Sequence, residues 1–270
     1  YHLQENSNTN EPQNLVQQHI NFRIAAVVRG TERLQTLKRL LGTIKRDLES
    51  CSFALDLGCG SGGNIMALST VFERVLGIDV SLEELILSKK RLEENGVGNV
   101  TLVCASAESL PFDETSFDFR NADSVIEHVR DQRETIRETH RILGPKGIFF
   151  FNSPNRFSIL LEPHVRVWGV GFLPRRFASP YVSLVKGIPY DGKRLLSFFE
   201  LNKFVKDTYR ENYQIFTIPD AYANMSKPAS SAGGRIYRKL NKIPLISRLM
   251  RIVESCFLPI FEVIAFKENG

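Results

Sequence analysis

Short apolar runs alternate along the chain with stripes of apolar residues at helical spacing. Runs of this kind predict five strands: Phe53–Leu57, Arg74–Asp79, Val100–Cys104, Phe117–Ala122 and Ile148–Asn152. Between them, capping patterns at Ser81 and Asp131 predict the starts of two helices. Strands that alternate with helices at short intervals indicate a parallel sheet with right-handed crossovers.

The regions on either side of this alternation differ from it. Residues 1–50 combine a polar tail with two amphipathic helices, which we expect to separate at Gly30 with Thr31 as the cap of the second. Residues 51–152 form the predicted core. Residues 153–192 are rich in proline and aromatic residues without periodicity, which is typical of a functional insertion.

The C-terminal part, residues 193–270, returns to regular patterns. A helix over 195–208 and strands over 213–218 and 260–266 are predicted around a basic amphipathic insertion at 219–258. Because no clear crossover helix joins the two strands, we expect the last one to be antiparallel. The predicted class is α/β: a Rossmann-like, doubly wound, seven-stranded sheet with an antiparallel last strand, N-terminal helices and two insertions forming a lid.

Composition adds a few constraints. The hydrophobic fraction of 43% allows a large core, and no apolar run is long enough to cross a membrane. Residues 153–270 carry 18 basic against 9 acidic residues, a net charge of +9 that favours an anionic substrate or surface. None of the four cysteines forms a C-x-x-C pair, so we predict reduced thiols, a cytoplasmic protein and no metal site.

The basic stretch at 244–257 has three interpretations. It contacts an anionic membrane surface, it covers the substrate pocket, or it packs on the sheet. No aromatic and basic module for nucleic acid is present in the sequence, and we predict no nucleic-acid partner. The expected partner is a small-molecule or lipid-linked substrate that carries negative charge.

A glycine-rich turn after the first predicted strand is the strongest chemical signal. Gly58, Gly60 and Gly63 match G-x-G-x-x-G between a strand and a helix, and Asp79 ends the next strand. The pattern predicts a cofactor that contains a nucleoside. NAD uses the same fingerprint, but Asp56 immediately before the glycines would repel a pyrophosphate and suits a cofactor with an amino group.

Five motifs in order resemble those of the class I S-adenosylmethionine (SAM)-dependent methyltransferases, particularly the small-molecule and quinone branch. The motifs are Leu55-Asp-Leu-Gly-Cys-Gly-Ser-Gly62, Gly77-Ile-Asp-Val-Ser81, Ala105-Ser-Ala-Glu-Ser-Leu-Pro-Phe112, the segment from Ser116 to Val129 and Leu143-Gly-Pro-Lys-Gly147. The resemblance covers residues 53–152 well and the C-terminal elements by topology. It implies SAM as the cofactor.

The resemblance also implies roles for individual residues. Asp79 should bind the ribose hydroxyls and Asp56 should orient the ammonium group. The backbone of Gly58, Cys59 and Gly60 should lie near the methionine portion of the cofactor. The adenine should contact Val80, Ala107 and Glu108, and Ala122 should form the floor of the methionine pocket. Ser106 stands where the family often has Asp, and Arg120 interrupts a strand that is normally apolar.

Methyl transfer from a sulfonium is an in-line displacement, and a hydroxyl acceptor also needs a base. His164, in the insertion, is the preferred base because such insertions lie over the strand ends where substrates bind. His128 and then His19 are weaker candidates. Trp168, Phe172, Tyr181 and Tyr190 either form an aromatic wall for the substrate or hold the insertion together.

These observations favour O-methylation of a small or lipid-linked acceptor, such as a saccharide or natural-product intermediate. The first alternative is C-methylation of an isoprenoid quinol, whose carbon is already activated. Alternatives of other classes are an NAD(P)-dependent dehydrogenase and a regulatory protein that binds SAM without transferring its methyl group.

Overall fold

The computed structural model describes residues 25–217 and 256–268, which contain a seven-stranded mixed sheet. Its strands are β1 Phe53–Leu57, β2 Arg74–Asp79, β3 Val100–Cys104, β4 Phe117–Ala122, β5 Leu143–Pro154, β6 Tyr213–Thr217 and β7 Ile260–Phe266. The helices are α1 Ala26–Thr43, α2 Gly63–Leu68, α3 Leu82–Glu94, α4 Gln132–Ile142, α5 Arg175–Lys186 and α6 Phe198–Tyr209. A short 3₁₀ helix spans Val170–Phe172.

The strand order is β3-β2-β1-β4-β5-β7-β6, with β7 antiparallel to both of its neighbours. The predicted seven-stranded fold with an antiparallel last strand is confirmed. The chain runs outward from β1 to β3 and then returns to place β4 on the other side of β1. Ligands bind sheets of this kind beyond the carboxyl ends of the strands where the order reverses, which here means beside β1 and β4.

Two apolar layers cover the sheet. Leucines of α1 and apolar residues of α2 and α3 pack on one face, while α4 and α6 pack on the other. β1 lies between the layers, and its last four residues are fully buried. Burial on both faces explains why the central strands have nearly continuous apolar sequences.

The expected break between two N-terminal helices at Gly30 is wrong, because α1 runs through this residue. A Cβ at Gly30 would lie 2.3 Å from the carbonyl oxygen of Gly63, so glycine is needed for close packing of α1 on α2. Thr31 caps no helix. Its hydroxyl donates to the carbonyl of Val27 within α1.

Two further expectations need correction. The insertion at 153–192 is partly regular, since it contains the 3₁₀ helix and α5, which includes Pro180. The turn at 144–147 lies within β5 and appears as a register shift against β4.

The helix predicted over 195–208 is present as α6, and a capping box between Ser197 and Glu200 caps its N-terminus. The N-terminal residues up to 24, including His19, and most of the basic insertion lie outside the described residues.

Candidate active site

A cavity of about 600 Å³ lies beyond the carboxyl ends of β1, β2, β3 and β4. Loops that follow these four strands form its walls. The lining residues are Leu57, Gly58, Ile78, Asp79, Val80, Ala105, Ser106, Ala107, Glu108, Ser124, Val125, His128, Val129 and Arg130. Its position at the reversal of strand order is the one expected for a cofactor in this fold.

The glycine turn and Asp79 are held together by hydrogen bonds. One carboxylate oxygen of Asp79 accepts from the backbone N–H of Gly60 at 2.9 Å, and the other accepts from Ser81 at 2.8 Å. These bonds fix the carboxylate at the cavity wall and leave each oxygen a further lone pair for a ligand hydroxyl. Gly58 has a φ of +65°, and a Cβ there would lie 2.5 Å from the Val125 side chain. The turn therefore requires glycine at this position.

The predicted adenine contacts also lie at the cavity. Val80 is 71% exposed, which leaves an apolar side chain free at the wall. Ala107 is buried, and Glu108 accepts hydrogen bonds from the backbone N–H groups of Arg130 and Asp131. Glu108 thus joins the loop after β3 to the start of α4 through one carboxylate oxygen, Oε1.

Cys59 and Gly60 are in the turn but do not line the cavity. The Cys59 N–H donates to the carbonyl of Ile78 at 2.8 Å, and burial raises the pKa of its thiol. Gly60 adopts a positive φ and faces open space. Their contribution is backbone geometry, since neither residue has a side chain directed at the cavity.

Asp56 and Ala122 lie beneath the cavity, fully buried in the sheet. Asp56 accepts from the Asn121 side chain at 2.7 Å, while its second oxygen has no partner among the described residues. The pKa of Asp56 is raised to about 7, chiefly by burial and also by the carboxylates of Asp123 and Asp79, against the opposing effects of the Asn121 hydrogen bond and Arg33. Neither Asp56 nor Asn121 lines the cavity, so the predicted role of Asp56 with the ammonium group stays a prediction.

Arg33 of α1 ties this region together and was not singled out from the sequence. Its guanidinium donates to the Asn121 side chain at 2.9 Å, to the Ala122 carbonyl at 3.2 Å and to Glu262 of β7 at 3.1 Å. It also lies 3.7 Å from Asp123. Nothing in the local sequence marks this arginine, because its partners come from β4 and β7.

The predicted base, His164, belongs to a hydrogen-bonded group within the insertion. Its Nδ1 lies 2.6 Å from Glu162, which also accepts from the Tyr190 hydroxyl at 3.2 Å and from the backbone N–H of Val165. Burial alone would raise the pKa of Glu162, but the hydrogen bonds from His164 and Val165 outweigh it and keep the pKa low. An ionised Glu162 accepts only, so Nδ1 donates to it, and in the neutral imidazole Nε2 has the free lone pair.

His164 meets the end of the loop after β4. Its ring lies 5.0 Å from that of His128, nearly perpendicular to it, and His128 lines the cofactor cavity. Its Nε2 is 3.9 Å from the Glu127 carboxylate. Glu127 is fully buried, and burial raises its pKa to about 7. The structure thus brings both predicted histidines together and adds Glu127 and Glu162. The available signals were the adjacent Glu127-His128 pair and the Glu-x-His spacing of Glu162 and His164.

The four aromatic residues of the insertion do not line the cofactor cavity. The Trp168 indole donates to the carbonyl of Ile159, and the Tyr181 hydroxyl donates to the carbonyl of Trp168. Trp168 and Phe172 contact each other with ring centroids 6.3 Å apart. These contacts favour the interpretation that they hold the insertion together, with Tyr190 also supporting Glu162.

A family model described as a methyltransferase domain matches residues 55–151. This part of the chain is a methyltransferase domain. The match begins in β1 and ends in β5, and it includes the glycine turn, Asp79, Glu127 and His128. It confirms the family resemblance and, with it, the prediction of SAM as the cofactor.

Curated relatives of this methyltransferase domain have different stated activities. The chain is 35% identical over 95 residues to an uncharacterized methyltransferase, YcgJ of Bacillus subtilis, covering 35% of the chain and 38% of YcgJ. It is 32% identical over 107 residues to a ubiquinone biosynthesis O-methyltransferase of Actinobacillus pleuropneumoniae, covering 38% of the chain and 45% of that protein. It is 33% identical over 125 residues to the ubiquinone/menaquinone biosynthesis C-methyltransferase UbiE of Vibrio parahaemolyticus, covering 42% of the chain and 45% of UbiE. The matches thus span less than half of each relative's length.

Solved structures share the fold at low identity. The crystal structure of YcgJ matches with a TM-score of 0.53 and 22% identity, covering 85% of this chain and 98% of that one. A Haemonchus contortus phosphoethanolamine N-methyltransferase in complex with S-adenosyl-L-methionine matches with a TM-score of 0.55 and 18% identity, covering 81% of this chain and 49% of that one. No helix within the described residues has both the length and the hydropathy to cross a bilayer.

Proposed function

We propose that this protein transfers a methyl group from SAM to a hydroxyl oxygen of a small or lipid-linked acceptor, with His164 as the base. The observation that carries the proposal is the His164–Glu162 pair beside the cavity. Glu162 fixes the imidazole by its Nδ1–H, so that the unprotonated Nε2 faces the side where His128 borders the cofactor. A carbon nucleophile would need no such base.

The electrostatics of the strand ends support SAM over a dinucleotide. Three carboxylates, those of Asp56, Asp79 and Asp123, influence one another around the glycine turn. SAM carries positive charge on its ammonium and sulfonium groups, whereas a pyrophosphate would meet these carboxylates with like charge. This charge pattern disfavours the dehydrogenase alternative.

The proposed step is a single displacement. The acceptor oxygen forms a bond to the methyl carbon as the carbon–sulfur bond breaks, and both electrons of that bond go to sulfur. The products are the methyl ether and neutral S-adenosylhomocysteine. The hydroxyl proton passes to Nε2 of His164, and Glu162 stabilises the imidazolium that results.

The test is to compare variants on a panel of hydroxylated phenols, saccharides and quinols, with product mass and methyl position determined. His164→Ala should lower turnover by orders of magnitude, since general-base catalysis contributes about 10²- to 10⁴-fold. Binding of S-adenosylhomocysteine should be unchanged, and His140→Ala, at a helix outside the cavity, serves as the control. If His164→Ala instead forms a C-methylated quinol at the wild-type rate, the quinol alternative is established.

A regulatory protein would bind SAM tightly and methylate nothing on the panel. Relatives of both O- and C-methylating types match this chain at similar identity, so the relationship alone does not decide between them. The position of the methyl group in the product is therefore the decisive measurement.

A second cavity favours an anionic acceptor. It encloses about 190 Å³ between the insertion and residues 193–195, and its charged lining residues are Arg156, Arg175, Lys193 and Arg194 against one acidic residue, Asp191. Tyr190 lines it as well and donates to Glu162, which links this cavity to His164. An acceptor with a phosphate or carboxylate would place that group here. Lys193→Ala should raise KM for an anionic acceptor with little change for a neutral analogue, and Lys186→Ala at the exposed end of α5 is the matched control.

A further inference from the structure

The end of the loop after β4 and the insertion place two imidazoles and a carboxylate within reach of one ion. One ligand atom from each of Glu127, His128 and His164 lies within 4.8 Å of the others. Ligand atoms around a zinc ion are about 3–4 Å apart, because Zn–N and Zn–O bonds are each about 2 Å long. Small side-chain adjustments would bring the three atoms to this distance.

Glu127 gives a second and independent indication of a bound cation. Its side chain is 0% exposed, and neither carboxylate oxygen accepts a hydrogen bond from any residue that the structure describes. A buried carboxylate without partners is costly, and such groups in native proteins are paired with charges or bind metals. The carboxylate lies 3.9 Å from Nε2 of His164, so it faces the cluster.

Glu162 completes the arrangement as a group that orients one ligand. Histidines that bind metals usually donate their other ring N–H to a carboxylate, which fixes the tautomer and strengthens the ligand. His164 does so at 2.6 Å, and Tyr190 in turn donates to the same carboxylate. In the neutral imidazole, Nε2 of His164 is then the nitrogen available for a metal, and it lies on the side of Glu127.

We infer that Glu127, His128 and His164 bind a divalent first-row transition metal such as Zn²⁺, with Glu162 as the outer carboxylate of His164. Two imidazoles with one carboxylate suit zinc, iron or nickel better than magnesium or calcium, which prefer oxygen ligands. The sequence suggested no metal site because its ligands lie on two distant segments and include no cysteine.

The consequence for catalysis rests on the proposed function. His128 borders the cofactor cavity, so an ion at this cluster would lie beside the position of the acceptor hydroxyl. It would bind that oxygen and lower the pKa of the hydroxyl, whose proton would pass to solvent before methyl transfer. Nε2 of His164 would then be a metal ligand, which replaces its role as the base.

Calorimetric titration of the chelator-treated full chain with ZnCl₂ and with MgCl₂ tests the site directly. One Zn²⁺ should bind per chain, with Mg²⁺ far weaker. Glu127→Gln, which keeps volume and polarity, and His164→Ala should abolish the binding, and Glu162→Gln should weaken it by about 10- to 100-fold. His140→Ala and Cys104→Ser are controls for adventitious binding at another imidazole and at an exposed thiol.

Co²⁺ substitution gives a readout that does not depend on activity. Its visible absorption should indicate nitrogen and oxygen ligation without a thiolate charge-transfer band, and should disappear in His164→Ala. Zn²⁺ should also raise the Tm of the wild type but not that of Glu127→Gln. Stoichiometric binding that persists in both ligand variants, or no binding to the wild type, would overturn the inference.

The outcomes separate this inference from the proposed function. Loss of turnover on chelation, restored by Zn²⁺, supports the metal site and methyl transfer, with His164 as a metal ligand in place of the base. Full turnover without metal, together with loss in His164→Ala, leaves the base mechanism intact and removes the metal. Zn²⁺ binding in a protein that methylates nothing on the panel keeps the metal site and removes the proposed function.

Discussion

Replacement of Gly30 by Ala is predicted to destabilise the protein, although alanine is normally the better helix former. Gly30 lies in α1, where Gly→Ala usually adds about 0.5–1 kcal/mol to the free energy of unfolding. Here the new Cβ would lie 2.3 Å from the Gly63 carbonyl oxygen and 3.0 Å from the Cα of Asn64. Both atoms belong to backbone, so α1 and α2 must move apart to accept the methyl group.

The expected magnitude follows from these two opposing effects. Overpacking of this kind costs about 1–3 kcal/mol, which exceeds the gain in helix propensity. Gly42 of the same helix is the matched control, because a Cβ there meets nothing within 4 Å. Gly42→Ala should therefore stabilise the protein by about 0.5–1 kcal/mol. The two variants share the gain in propensity and differ by the overpacking cost, so their Tm values should differ by roughly 2–12 °C, since 1 kcal/mol corresponds to about 2–4 °C at this size.

Urea denaturation and thermal melting of the three proteins measure this difference. Binding of S-adenosylhomocysteine should also weaken in Gly30→Ala, because Asn64 lies in the first turn of α2 beside the glycine turn and donates to Asp123. A Gly30→Ala variant as stable as Gly42→Ala would refute the close packing of α1 on α2.

Three further predictions concern buried or cofactor-facing charges. Asp79→Asn should weaken binding of S-adenosylhomocysteine in calorimetry by about 10-fold or more, as expected for loss of hydrogen bonds to a charged group, while Glu83→Gln on α3 should not. Arg120→Met should raise the free energy of unfolding by about 1–4 kcal/mol in urea melts, because the guanidinium is fully buried and donates to no described residue. The control is Arg137→Met at an exposed position, which should change the free energy of unfolding by less than about 0.5 kcal/mol. The pKa of Asp56 is raised to about 7 in the folded state, which therefore holds a proton that the unfolded state releases above about pH 4. Wild-type stability is therefore lost as the pH rises from about 4 to 7. The stability of Asp56→Asn relative to wild type should rise over this range, and a pH-independent difference would contradict the assignment.

Several strands could be predicted from the sequence with their observed bounds. β1 and β2 match the predicted residues because strands buried on both faces require apolar side chains at nearly every position. The glycine turn was equally clear, since its positive φ angles restrict the residue type. These signals are local in sequence, and the structures they specify are local too.

The errors arose where a distant contact decides the local structure. Gly30 has the sequence features of a helix stop, but its small size serves the contact with Gly63. Pro180 suggested irregular chain, yet α5 accommodates it. Arg33 resembles any arginine of an amphipathic helix until β4 and β7 place their acceptors around it. No single-sequence pattern contains these partners.

The active site divides at the boundary of the family match. The cofactor half, from the glycine turn to His128, lies within residues 55–151 and depends largely on backbone geometry at the strand ends. The acceptor half, with His164 and Glu162, lies beyond it in an insertion held by side-chain hydrogen bonds. Glu127 lies within the matched residues, but its carboxylate faces the insertion. The charged partner that could offset the cost of burying this carboxylate is therefore supplied by the insertion. Shared identity over the matched residues therefore extends to the methyl donor, whereas the proposed base lies in residues 153–192 and the proposed metal site takes ligands from both parts.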